Sequence, residues 1–142
     1  LQKITENKMP LYTPLEPATT VQLYQRHADQ PQVFAAGETV FRAGEPGDCM
    51  YGLLEGEVEE YVDGVLMETI AAGDVFGIGA LVHPDGKRVS TAVAKTDCKL
   101  ASMDQERFLY VVQETPMFAI EALRSYSARL RRFKKHPAEV AG

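Results

Sequence analysis

The sequence predicts a mainly β domain with helices at both ends, its strands closed into a sandwich or barrel. Two observations carry this. Between residues 32 and 77, short apolar runs are punctuated by Gly37, Gly44, Gly47, Gly56, Gly64, Gly73 and Gly77, the pattern of short strands joined by regular turns. After Asp104 the apolar spacing lengthens from alternation to every third or fourth residue, as amphipathic helices require.

Each element follows in order. Residues 1–17 are polar, contain Pro10, Pro14 and Pro17, and read as an irregular arm. "ATTVQLYQRHAD" (18–29) fits a short helix with Thr19 or Thr20 as N-cap and Val21, Leu23 and Tyr24 as its apolar contacts. Strands are expected over about 32–103, with Phe34, Phe41, Leu53 and Phe76 inward. In "YVDGVLMETI" the Asp63-Gly64 pair can take the positive φ angles of a tight hairpin turn. After a polar loop at 82–88, "VSTAVA" and "KLASM" add two strands. Asp104 is a good N-cap for "DQERFLYVVQET", where Phe108, Val111 and Val112 share a face before Pro116 interrupts. A last helix runs from about Met117 to Lys135. Its stripe of Ala119, Leu123, Tyr126, Leu130 and Phe133 is expected to meet either its own strands or the same helix of a second copy. The domain is thus placed at 18–135 and a frayed tail at 136–142.

Composition narrows the class. At 142 residues, 45% hydrophobic and 25% charged, the chain reads as one soluble globular domain with a real core. No apolar run is long enough to span a bilayer, and the first residues do not form a signal peptide, so a cytoplasmic protein is expected. Cys49 and Cys98 read as free thiols in a reducing compartment, with a disulfide or a metal pair as the alternatives. No CxxC, HxH or HExxH spacing occurs, and His27, His83 and His136 are scattered; no metal site and no enzyme, such as a cupin-type barrel enzyme, is expected. The net charge of −5 is uneven. Ten acids and only Arg42 lie between Glu38 and Asp74, whereas six Lys or Arg and no acid lie between Arg124 and His136. These read as a solvated acidic sheet and a helix end suited to its dipole, or as a basic surface for an acidic partner.

Three segments in series carry a resemblance. "FAAGETVFRAGEPGDCMYGLLEGEVEEY" (34–61), "GDVFGIGAL" (73–81) with "RVSTAVA" (88–94), and "CKLASMDQERFLYVVQETP" (98–116) resemble, respectively, the start, the phosphate-binding cassette and the exit of the cyclic-nucleotide-binding domain family. The resemblance covers about residues 19–133. It implies a jelly-roll-like β-roll with an N-terminal helix and two C-terminal helices, serving as a regulatory sensor in transcription factors, kinase subunits and channels. It also implies ligand-binding roles. Gly77 would let the backbone approach the ligand, the amides of Gly79 and Ala80 would face a cyclic phosphate at a helix start, and Arg88 would neutralise it. Val89 would follow where a hydroxyl residue would favour guanine, Thr91 would serve as scaffold, and Tyr126 of the last helix would be placed to cover a base.

The departure is Ile78, which stands where the family's glutamate would hold the ribose 2′-hydroxyl. Losing a hydrogen bond to a charged group costs about 1.5–3 kcal/mol, about ten- to a hundredfold in affinity. Two functions are therefore in play. One is a ligand-sensing module binding cAMP weakly, or another anion, with no further cofactor. The other is a protein–protein adaptor that binds no nucleotide, with Arg88 turned to solvent or paired with an acid such as Asp85. Because the sequence ends soon after the last helix, no DNA-binding domain is expected in this chain, and action through a protein partner or a homodimer is expected.

Overall fold

The computed structural model describes residues 15–26 and 30–135. Most of the arm expected at 1–17, the end of the helix expected over 18–29 and the tail at 136–142 lie outside them.

Among the described residues, eight antiparallel strands form two four-stranded sheets. They are β1 (Gln32–Phe34), β2 (Thr39–Phe41), β3 (Cys49–Glu55), β4 (Glu57–Val62), β5 (Val65–Ala71), β6 (Val75–Phe76), β7 (Thr91–Ala94) and β8 (Cys98–Asp104). One sheet runs β1-β8-β3-β6 and the other β2-β7-β4-β5. Helix α1 (Pro17–Leu23) precedes them, a single turn α2 (Gly79–Val82) follows β6, and α3 (Gln105–Glu114) and α4 (Met117–Lys135) close the chain. This is the expected β-roll with its flanking helices.

Strands β3, β6 and β8 of the first sheet carry buried residues on both faces, and the two-residue period of a strand sorts their side chains. Tyr51, Leu53, Phe76, Cys98 and Leu100 join Phe41, Val58, Ile70, Ala92 and Ala94 between the sheets. Their neighbours Met50, Val75, Ala101 and Met103 point the other way, onto Val21 of α1, Val111 of α3 and Phe118 and Ala122 of α4. Of the four residues expected inward, Phe41, Leu53 and Phe76 are buried and Phe34 packs at the edge of the same core. Asp63 (φ 51°) and Gly64 (φ 78°) make the β4–β5 hairpin turn as expected.

Two local expectations change. Helix α1 starts and ends earlier than the expected 18–29, with Glu16 at the N-cap, Pro17 in the first turn and Tyr24 at the C-cap after Leu23. Proline's fixed φ suits that position, so Thr19 and Thr20 fall inside the helix. Its start is tied down by the Ala18 amide donating to the Gly73 carbonyl at 3.0 Å. In α3 the cap is as expected: the Asp104 carboxylate accepts from the Arg107 amide at 2.8 Å, which holds its acidity stronger than usual. Helix α4 spans the expected residues, but its buried face is Phe118, Ala122, Ser125 and Arg129. The expected stripe is turned about one position away. Leu123 is 65% and Leu130 53% exposed, and only Tyr126 of the stripe is packed against the core.

Candidate ligand pocket

The end of β6 and the loop before β7 converge on one cavity of about 170 Å³. It is lined by Gly77, Ile78, Gly79, Ala80, Arg88, Val89 and Tyr126, together with Phe41, Glu60, Glu68 and Ser90. All seven residues singled out from the sequence therefore lie together.

Arg88 is the buried cation of this cavity, only 6% exposed. Its backbone is clamped by the 44–47 turn: the Arg88 amide donates to the Glu45 carbonyl, and its carbonyl accepts from the Gly44 amide, both at 2.8 Å. The side chain then runs inward. Nη1 donates to the Gly77 carbonyl at 2.9 Å, Nη2 reaches the Cys49 sulfur at 3.7 Å, and the guanidinium lies 4.2 Å from the centre of the Phe41 ring. Two glycines make room for it. A Cβ on Gly47 would overlap the guanidinium, and one on Gly77 would sit 3.0 Å from Nη1 in a backbone of φ +79°. No carboxylate pairs with Arg88 among the described residues. Asp85 instead accepts from the Lys87 amide at 3.0 Å, so Arg88 is neither turned to solvent nor neutralised by Asp85.

The cassette turn α2 has only four residues. At that length the Gly79 and Ala80 amides count as single donors and a helix dipole adds little. Ile78 lines the cavity, and its amide donates to the Tyr126 hydroxyl at 3.3 Å. Tyr126 thus closes the cavity from α4, and burial raises its phenol to about 12. Thr91 is scaffold, its hydroxyl accepting from the Ala43 amide at 3.0 Å.

Glu60, Glu68 and Ser90 of the same lining belong to a network that local sequence motifs do not report. Glu60 and Glu68 face each other across β4 and β5. The Ser90 hydroxyl donates to Glu60 at 2.8 Å. Arg129 Nε donates to Glu68 at 2.8 Å, and its Nη1 to the Val75 carbonyl at 2.8 Å and to Ser125 Oγ at 2.7 Å. Burial, reinforced by the Glu68 charge, raises the Glu60 carboxyl to about 7, against the pull of the Ser90 hydrogen bond. Period alone could have found these groups. Glu60 alternates with buried Val58, Glu68 with buried Ile70, and Arg129 continues the 118, 122, 125 face of α4. A second hollow, of about 450 Å³, adjoins the first; it shares Glu68 and Tyr126 and adds Met67, Arg129, Leu130 and Phe133.

Among the described residues no three His, Cys, Asp or Glu side chains converge as a metal site, and no helix is long and apolar enough to cross a membrane. Cys49 and Cys98 are unpaired.

The β-roll thus brings its cassette turn and a buried arginine to one cavity, closed by a C-terminal helix. Residues 31–115 match the family model described as the cyclic nucleotide-binding domain, and the chain belongs to that family, whose modules are regulatory rather than catalytic. It is 33% identical over 116 residues to a CRP-like cAMP-activated global transcriptional regulator of Mycobacterium tuberculosis, covering 78% of this chain and 51% of that protein. It is also 35% identical over 98 residues to a cAMP-dependent protein kinase regulatory subunit of Emericella nidulans, covering 68% of this chain and 23% of that protein. The chain thus spans about half or less of these curated relatives. In fold it is similar to the c-di-GMP-responsive regulator CLP of Xanthomonas campestris, with a TM-score of 0.74 at 18% identity over 88% of this chain and 63% of that one. It is likewise similar to the catabolite activator protein of Thermus thermophilus, with a TM-score of 0.66 at 22% identity over 89% and 59%.

Proposed function

We propose that this chain is a ligand-sensing regulatory module, with residues 18–135 as its working unit. It binds a small phosphate-bearing ligand at Arg88, takes cAMP weakly, and passes the signal to a partner through α4. The observation that carries this reading is the Arg88 guanidinium, buried in a cavity with no carboxylate counter-ion among the described residues. A buried charge without a partner is costly, and an incoming anion relieves that cost. A phosphate also suits a guanidinium geometrically, through two parallel hydrogen bonds. Gly77, Gly79 and Ala80 would approach the same anion, Ile78 and Val89 would give apolar contact, and Tyr126 would report occupancy to α4. Weak binding follows from Ile78, which offers the ribose no acceptor.

The exposed apolar residues Ile120, Leu123 and Leu130 of α4 support a protein partner or a second copy on that face. The reading includes a cytoplasmic setting, in which Cys49 and Cys98 stay as thiols.

Two features favour an adaptor that binds no nucleotide: Tyr126 already occupies the Ile78 amide, and the cavity is smaller than the roughly 300–1,000 Å³ of typical ligand sites. Isothermal titration with cAMP and cGMP separates the two. The sensor gives a saturable heat at millimolar ligand or below that disappears in Arg88→Ala. The adaptor gives no heat in either protein.

A further inference from the structure

The cavity is bipolar. Arg88 and the Glu60 carboxyl both line it, Glu60 held by Ser90 and paired across the strands with Glu68. Arg88 and Glu60 line the same space but do not pair with each other, so a ligand lodged between them meets a cation at one end and an acceptor at the other. Glu68 is already engaged by Arg129, which leaves Glu60 as the carboxyl available to a ligand. Phe41 and Tyr126 add aromatic surface to the lining, Phe41 against the Arg88 guanidinium and Tyr126 against that of Arg129.

We infer that Glu60 reads the end of the ligand remote from its phosphate, and that it selects paired N–H donors, making the ligand a guanine rather than an adenine nucleotide. This rests on the reading of Arg88 as the phosphate site. The Watson–Crick edge of guanine carries an N1–H and an N2 amino group side by side, and an ionised carboxylate, which only accepts, takes both. Adenine sets its N1 lone pair against that carboxylate and offers only the N6 amino group. Ser90 donates to one Glu60 oxygen, and the protonated carboxyl also hydrogen-bonds Glu68; two ionised carboxylates cannot share that bond, so ionisation releases the second oxygen. A purine reaching Glu60 needs more than 170 Å³, and the adjoining hollow behind Tyr126 and Glu68 supplies it once Tyr126 leaves the Ile78 amide.

The selection depends on pH. Glu60 is faced by Glu68 from β5, by Arg129 and Tyr126 from α4 and by Ser90 from the cassette loop. Its carboxyl titrates near neutrality, and only the ionised form accepts both guanine donors.

The test is calorimetric titration of the chain and of Glu60→Gln with cGMP and cAMP at pH 6 and pH 8, with inorganic phosphate as a third ligand. The expected result is a preference for cGMP of about tenfold or more at pH 8, the scale of a charged hydrogen bond. That preference shrinks at pH 6 and in Glu60→Gln, while phosphate binding is unchanged. Thermal melts check that the variant folds; should it not, Ser90→Ala, which frees Glu60 from its anchor, is expected to lower the preference in the same direction. Equal affinities for the two nucleotides at pH 8, or a cGMP preference that survives Glu60→Gln, overturn the inference and leave the phosphate site standing. Failure of phosphate and both nucleotides to bind removes the site itself, and this inference with it.

Discussion

Two arginines of this chain are buried to the same extent, each 6% exposed, and live in opposite electrostatic settings. Arg129, on α4, is answered on three sides, by Glu68, the Val75 carbonyl and Ser125, and Ser125 passes the chain on to Asp74 at 3.0 Å. Arg88, in the cassette, has one carbonyl, a sulfur and an aromatic face, and no anion among the described residues. The first is a structural ion pair that ties the last helix to β5 and β6. The second is a cation held ready by a backbone clamp and two glycines. Burial alone therefore does not separate a stabilising residue from a binding one; the presence or absence of the counter-charge does.

The largest effect that would sharpen this contrast is on stability. Arg129→Met leaves the partly buried Glu68 carboxylate and the Val75 carbonyl unanswered, and should cost about 3 kcal/mol, as breaking such pairs does. Urea denaturation monitored by circular dichroism reads it; a loss below about 1 kcal/mol would mean the pair is idle.

Next in size is Ile78→Glu. It places a carboxylate on the cavity wall where a ribose hydroxyl can reach it, and should tighten cAMP binding by about 1.5–3 kcal/mol. Unchanged affinity in a titration would show that Ile78 does not face the ribose.

A smaller effect concerns the acid pair. The Glu60 carboxyl is raised in the folded state, to about 7, so the folded chain holds a proton that the unfolded chain has released. Stability should therefore fall as pH rises from about 4.5 to about 7. Glu60→Gln should flatten that limb and raise the melting temperature at pH 8 by roughly a few degrees, with little change at pH 5. A variant that melts lower at pH 8 than the parent would reverse the sign assigned to this pair.

The fold was largely legible in the sequence because turn residues and periods are local signals. The Asp63-Gly64 hairpin and the Asp104 cap both sit where they were read. What local signals do not carry is which face of a helix meets the core. On α4 the apolar residues Leu123 and Leu130 stand out in sequence, but the helix is anchored through small and polar residues, Ala122, Ser125 and Arg129. Ser125 and Arg129 bond Asp74, Glu68 and Val75, and only their helical spacing from Phe118 and Ala122 marks them in the sequence. The cassette end of the pocket was legible through its resemblance to a family motif. The carboxyl end was not, since Glu60 and Glu68 sit in an acid-rich stretch that reads as solvated; only their alternation with Val58 and Ile70 marks them as inward. Arg88 lines the cavity beside the cassette residues, while its isolation from Asp85 required the three-dimensional path of the loop.

The most direct test of the claim that Arg88 awaits an anion compares thermal melts of the parent chain and Arg88→Met over rising phosphate or cyclic nucleotide, at constant ionic strength. Without ligand the two should differ by about 1 kcal/mol or less, because removing Arg88 strands no buried carboxylate. With ligand the parent should melt progressively higher, by an amount equivalent to about 2.7 kcal/mol at a hundred times the dissociation constant, while Arg88→Met stays flat. Parallel curves for the two proteins, or a variant that collapses in stability before any ligand is added, would contradict it.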